Sequence, residues 1–169
     1  MLVTGGAGFI GSHAAIHFAE RGYEVTVLDN LSRGRLLKRE DANALYNWDS
    51  LGARGNIRLV RGDVCDPDLV GPLAAQADVI LHAAAQTAVT TSVIDPETDF
   101  VSNAVGTFTV LEAARRGGRR PTVVFCSTNK VYGENVNQVE VQEGPRRYRF
   151  AEAMGAGIPE TFSIDRCEH

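Results

Sequence analysis

Val3-Thr4-Gly5-Gly6-Ala7-Gly8-Phe9-Ile10-Gly11 is the stretch on which the reading of this chain turns. A short apolar start runs straight into a glycine cluster. Ile10, Ala14 and Phe18 then recur at near-helical spacing, which predicts a helix over 11–21 with Gly22 as its stop. Glycines at 5, 8 and 11 between a strand and a helix have separate uses. Gly5 permits the tight turn, Gly8 lets the backbone approach a pyrophosphate, and Gly11 allows close helix–strand packing. Phe9 and Ile10 stand at the helix N-terminus, where free N–H groups and the positive dipole end favour phosphate.

Tyr23 to Leu28 reads as the next strand, and it ends in Asp29-Asn30. Asp29 lies 18 positions after Gly11, where a carboxylate can accept from both hydroxyls of an adenosine ribose. A carboxylate there repels a 2′-phosphate, so NAD is expected over NADP; Arg33 and Arg35 nearby pull the other way. Asp63-Val64 follows the third strand, 57–60. Asp63 has two readings, an adenine cap or a turn aspartate. Ala83-Ala84-Ala85 follows a fourth strand, 78–81, and such small side chains let a cofactor lie against the strand ends.

Residues 31–55 are polar and mixed, a connector with one short helix expected around 36–46. Asp66-Pro67 begins a helix with proline in its first turn. Asp95-Pro96-Glu97 begins a long one that runs to about Arg116, with Phe100, Ala104, Thr107, Phe108 and Leu111 on one stripe and Gly117-Gly118 as its stop. Thr122 to Phe125 is a fifth, apolar strand. Strands without alternation, each followed by a helix, mark a parallel sheet covered on both faces. The expected class is α/β, a doubly wound parallel sheet. Residues 1–133 form the dinucleotide-binding domain, and 134–169 an irregular segment.

Composition narrows the classes. Hydrophobic residues make up 44% and charged residues 22%, enough apolar content for a packed core. No run approaches the roughly 18 apolar residues of a membrane helix, and no signal peptide is visible. Cys65, Cys126 and Cys167 form no C-x-x-C pair, which fits a reducing, cytoplasmic setting. A net charge of −4 argues against a nucleic-acid partner despite Arg115-Arg116-Gly117-Gly118-Arg119-Arg120. Arg146-Arg147-Tyr148-Arg149 is read as a solvated loop, with a sugar nucleotide's diphosphate as the alternative ligand. His13 and His17 are four apart on one helix, but no third metal ligand is placed near them, so no metal is expected.

VTGGAGFIGSH, VLDN, GDVCD, LHAAAQ, Asn103-x-x-Gly106-Thr107 and STNKVYG together resemble the extended short-chain dehydrogenase/reductases that act on nucleotide sugars. Within that group, AAQTAVTTSVIDP, Ser127 to Gly133 and GIPETFSIDRCEH look most like the CDP-paratose (CDP-tyvelose) 2-epimerases. The resemblance implies a Rossmann-like fold, NAD as cofactor and a nucleotide-sugar substrate epimerised at C2 by transient oxidation. It also implies a homodimer for the full-length protein. Gln86, Asn103, Arg33 and Ser127 would lie near the cofactor, and Thr128 would hydrogen-bond the reacting hydroxyl, a loop-capping hydroxyl being the alternative.

By the same resemblance, 4,6-dehydratases carry an Asp-Glu pair directly after that threonine. This chain has Asn129-Lys130, which disfavours dehydration and leaves a UDP-sugar 4-epimerase as the runner-up. The family's Tyr-x-x-x-Lys pair is absent: Val27, Ser50, Val136 and Glu152 stand four positions after the four tyrosines. The chain therefore reads as the amino-terminal half of an epimerase, without its sixth strand, sugar-binding domain or catalytic base. The alternative of another class is a non-catalytic dinucleotide-binding module. A reading frame that continues past the His169 codon into Tyr-x-x-x-Lys favours the first, and a stop codon there the second.

Overall fold

Alternate residues of each central strand go to opposite faces of one sheet, which is why the strands read as unbroken apolar runs. Leu2, Leu28 and Ile80 point to one face and pack with Val70, Leu73, Ala74, Val110, Ala113 and Ala114. Val3, Val25, Val27 and Leu81 point to the other and pack with Ala15, Ala19, Leu51 and Ile57. Burying each such aliphatic side chain contributes about 1.5–3 kcal/mol, so the two layers are what hold the sheet.

The computed structural model describes residues 1–32, 45–128, 133–151 and 157–163. It divides into two compact units, Met1–Cys126 and Ser127–His169. In the first, β1 (Leu2–Thr4), β2 (Val25–Asp29), β3 (Ile57–Arg61), β4 (Val79–His82) and β5 (Thr122–Phe125) form a parallel sheet in the order β3-β2-β1-β4-β5. Helices α1 (Phe9–Ala19) and α2 (Tyr46–Gly52) contribute to one core layer, and α3 (Pro67–Ala75) and the long helix after β4 to the other. The order reverses on either side of β1, so the crevice beyond the carboxyl ends of β1 and β4 is the switch point, where open α/β sheets take ligands. This is the expected Rossmann-like architecture.

Four features depart from the expectations. The expected helix near 36–46 falls mostly outside the described residues; what is described there is α2, starting at Tyr46. A short helix, α4 (Val89–Ile94), lies in a stretch for which no element was expected, and it has no buried residue. The long helix is α5 (Pro96–Phe100), a π-helical stretch Val101–Val105, then α6 (Gly106–Arg116), opened by Asp95 accepting from the Thr98 N–H. Its expected apolar stripe faces outward, with Phe100 63%, Phe108 67% and Leu111 49% exposed. Gly106, Thr109, Val110, Ala113 and Ala114 are buried instead, because small residues let α6 approach α3 closely. A Cβ on Gly117 would already sit 2.9 Å from the Ala75 Cα.

The fourth is β5, apolar in sequence yet largely exposed on both sides, with Val124 at 48% and Phe125 at 55%; Cys126 after it is exposed too. An edge strand has one neighbour, so apolar composition alone does not bury it.

The second unit, expected to be irregular beyond residue 133, contains a 3-10 turn (Asn135–Gln138) and an antiparallel pair, β6 (Val141–Glu143) with β7 (Tyr148–Phe150). Tyr148 and Arg149 are exposed on β7, opposite Glu143 and Gln142.

Candidate functional site

The glycine turn joins β1 to α1 as expected. Gly5 is held at φ +69°, and a Cβ there would lie 2.5 Å from the Ala84 nitrogen, so the turn after β1 and the loop after β4 touch directly. A Cβ on Gly11 would collide with the Gly5 carbonyl oxygen, which is how α1 comes so close to the turn. Gly8 is different: a Cβ there would meet only the Gly5 carbonyl oxygen, at 3.1 Å. As the N-cap of α1, Gly8 brings no side-chain hydrogen bond to the helix amides, and Phe9 and Ile10 beside it are exposed.

Asp29 closes β2 against this turn. Its Oδ2 accepts from the Ala7 N–H at 2.9 Å and its Oδ1 from the Leu31 N–H at 2.8 Å. Each carboxylate oxygen keeps a second acceptor position. The Asn30 Oδ1 accepts from the Ser32 N–H at 2.9 Å, and these two local bonds hold Leu31 at φ +57°, a conformation a leucine adopts only under constraint. The Asn47 side chain on α2 donates to the Ala7 carbonyl at 2.9 Å. Sequence reading missed Asn47, because its partner lies 40 residues away and no motif marks it.

On the neighbouring strand end, Asp63 does what a turn aspartate does: its Oδ1 accepts from the Cys65 N–H at 2.9 Å. Its Oδ2 accepts from the Asn30 side chain at 2.8 Å, which ties the β3 loop to the β2 loop. Partial burial pushes its pKa upward, but the Cys65 and Asn30 hydrogen bonds outweigh that and hold it below the ordinary value. Val64 buries its side chain in the core, so only its backbone is left for a ligand. The Cys65 thiol donates to the Val101 carbonyl at 3.3 Å, and burial and the Asp63 carboxylate push its pKa up to about 11.

Past β4 the loop is held by side chains. The Ala83 N–H donates to the Thr4 carbonyl at 3.1 Å, and the Ala84 N–H to the Thr4 hydroxyl at 3.4 Å. Asn103, within the π stretch, binds the Gln86 backbone twice: its Oδ1 accepts from the Gln86 N–H at 2.8 Å, and its Nδ2 donates to the Gln86 carbonyl at 3.0 Å. The same Nδ2 donates to Asp99 at 3.1 Å. The Gln86 side chain is committed to Ala88 and Ser92. The side chains of Asn103 and Gln86 thus brace the loop after β4. Ala83, Ala84 and Ala85 leave its surface free of bulk.

Ser127 and Thr128 are exposed and open the second unit. Arg33 and the Asn129-Lys130 pair lie outside the described residues. His13 donates to the Phe9 carbonyl, and His17 is bonded to Arg21, so each belongs to its own helix. A cavity of about 290 Å³ between Leu2, Thr26, Arg58 and Asp78 lies at the opposite, amino-terminal ends of the strands, where parallel sheets do not take ligands. No helix among the described residues is long and apolar enough to cross a membrane.

The crevice suits a dinucleotide on its own geometry: no side chain at Gly8, helix amides without a side-chain cap, and a half-buried carboxylate fixed at the turn with acceptor capacity to spare. Comparison with known proteins agrees. Residues 1–152 match the NAD dependent epimerase/dehydratase family. The chain is 37% identical over 167 residues to the CDP-paratose 2-epimerase of Salmonella typhi, covering 98% of this chain and 46% of that protein. It is 44% identical over 137 residues to a dTDP-glucose 4,6-dehydratase of Mycolicibacterium smegmatis, covering 79% and 38%. A crystal structure of the Thermus thermophilus UDP-glucose 4-epimerase in complex with NAD superposes with a TM-score of 0.62 at 35% identity, over 90% of this chain and 42% of that one. The chain thus spans less than half the length of the relatives it matches. With the family's glycine turn, its acidic strand end and its Asn103-x-x-Gly106-Thr107 helix all in place, this chain belongs to the NAD dependent epimerase/dehydratase family.

Proposed function

We propose that this chain is the cofactor-binding part of a nucleotide-sugar epimerase, one that holds the adenosine and diphosphate of NAD at the carboxyl ends of β1 and β2. The observation that carries the proposal is Asp29, fixed 2.9 Å from the Ala7 amide of the glycine turn with one acceptor position free on each oxygen. The turn and the first amides of α1 would bind the diphosphate, and Asp29 would accept from the ribose hydroxyls. The loop 83–86 would form the floor. NAD, when bound, supplies a reversible hydride acceptor. Thr128 would donate a hydrogen bond to the reacting sugar hydroxyl and so orient it.

The finer reading is epimerisation of CDP-paratose at C2. It is supported by the similarity over 98% of the chain and by Asn129-Lys130 in place of a carboxylate pair. A UDP-sugar 4-epimerase is the second reading, supported by the superposition on the Thermus enzyme. The outward stripe Phe100, Phe108 and Leu111 is the surface we assign to a homodimer of the full-length protein.

Calorimetric titration tests the cofactor step. NAD should bind saturably below millimolar concentration, and Asp29→Ala should weaken it by at least about tenfold, the scale of a lost charge-assisted hydrogen bond. Absence of saturable binding to the unsubstituted chain would sink the reading. Epimerase turnover by the 169-residue chain should be negligible, because no Tyr-x-x-x-Lys lies within it to supply the base.

A further inference from the structure

His82 ends β4 in register with Thr4 on one side and Phe125 on the other, at the switch point itself. It is 2% exposed, and none of the chemistry above uses it. Its Nδ1 lies 2.6 Å from the Thr4 hydroxyl and its Nε2 3.1 Å from the Thr107 hydroxyl. The proton positions follow by counting donors. The Thr107 hydroxyl sits 2.6 Å from the Asn103 carbonyl, which can only accept, so its one proton goes there. Nε2 must then carry a proton to donate to Thr107. At the other end the Thr4 oxygen accepts from the Ala84 N–H and still has its own proton to donate to a bare Nδ1 2.6 Å away. The Thr107 end excludes the tautomer with Nε2 bare, and the neutral form with Nε2 protonated and Nδ1 bare satisfies both contacts.

The bonds form a closed ring. From His82 the backbone runs through Ala83, Ala84 and Ala85 to Gln86; the Asn103 side chain grips the Gln86 backbone at two points; the Asn103 carbonyl takes the Thr107 proton; and Thr107 returns to His82. We infer that His82 is a positioning residue, whose imidazole, bonded between Thr4 and Thr107, fixes the loop Ala83–Gln86 against the glycine turn and sets the width of the crevice. That this width serves NAD rests on the proposed function; that His82 sets it does not. A buried polar network with every member satisfied specifies one geometry, which an apolar side chain of similar size does not. Burial lowers its pKa and so favours the neutral imidazole, in which Nδ1 is bare once Nε2 holds the proton.

The test uses the whole 169-residue chain. Imidazole ¹⁵N NMR at pH 7.5 should show Nε2 protonated and Nδ1 bare for His82; an imidazolium or the opposite tautomer overturns the inference. His82→Gln keeps a donor that reaches Thr107, whereas His82→Asn keeps only the arm to Thr4. Hydrogen exchange at the Gln86 amide should quicken at least about tenfold in His82→Asn and Thr107→Val and stay within about threefold in His82→Gln, with the Cys126 amide, bonded to the His82 carbonyl in the sheet, changed less than about twofold. Equal quickening at both amides, or in the Gln and Asn variants alike, overturns it, because a histidine that merely fills space would behave so. NAD affinity should fall in the same order as the exchange. If the unsubstituted chain takes up no NAD, the cofactor reading fails while the tautomer and exchange results still decide the role of His82.

Discussion

The crevice at the switch point has two rims built by different means. On the β2 side the shape is made by backbone: a glycine at positive φ, a helix packed against a turn with no Cβ between them, and one carboxylate bonded to two amides. On the β4 side it is made by side chains reaching across the fold, with His82, Asn103 and Thr107 closing a ring around a loop of small residues. A rim of backbone tolerates almost no added atom. A rim of side chains tolerates substitution but loses its register. The two should fail differently when disturbed.

The largest expected effect is on the backbone rim. Gly11→Val places a branched side chain into the Gly5 carbonyl and backbone that cannot yield, and should cost about 3–5 kcal/mol, an unfolding midpoint lower by about 10 °C on a thermal scan. The side-chain rim should respond less: Asn103→Ala leaves the Gln86 N–H and carbonyl without their partner, at a cost of about 1–3 kcal/mol, read as a denaturant midpoint shift. A midpoint loss for Asn103→Ala equal to that of Gly11→Val would erase the contrast.

A third effect is pH-dependent and belongs to the β4 rim alone. Burial lowers the pKa of His82, so the unfolded chain takes up that proton first, near pH 6.5. Stability should be full above that pH and fall as pH drops below it, by at most about 1.4 kcal/mol per pH unit for one proton. His82→Gln should flatten this part of the curve, and an unchanged slope would remove His82 as its source. The smallest effect is chemical. With its thiol pushed up to about 11 and bonded to the Val101 carbonyl, Cys65 should alkylate at pH 8 at least about tenfold more slowly than exposed Cys126, by peptide mapping.

The backbone rim was legible in the sequence because its parts are local. Three glycines at spacing three and an aspartate at the end of the next strand need only the βαβ context to be understood. Asn47 was not legible, since it reaches Ala7 from 40 residues away and nothing in its neighbours marks it. The long helix was placed correctly by Asp95-Pro96 and Gly117-Gly118, yet its faces were exchanged. Hydrophobicity points large residues inward, but the close seam with α3 accepts only small ones, so Val110, Ala113 and Ala114 took the core and Phe108 and Leu111 the surface. The exposed β5 has a similar cause: apolar composition says what a strand is suited to, and the neighbours decide whether it is covered.

By itself the sequence determined the parallel sheet, the glycine turn and the family, because strand runs, turn glycines and capping residues act over a few positions through sterics and local hydrogen bonds. Only the tertiary structure decided which face of the long helix is buried, what Asn103 and Gln86 hold, and that His82 lies between the Thr4 and Thr107 hydroxyls. Those depend on groups 17 to 78 residues apart meeting within hydrogen-bond distance, and sequence spacing carries no information about such meetings.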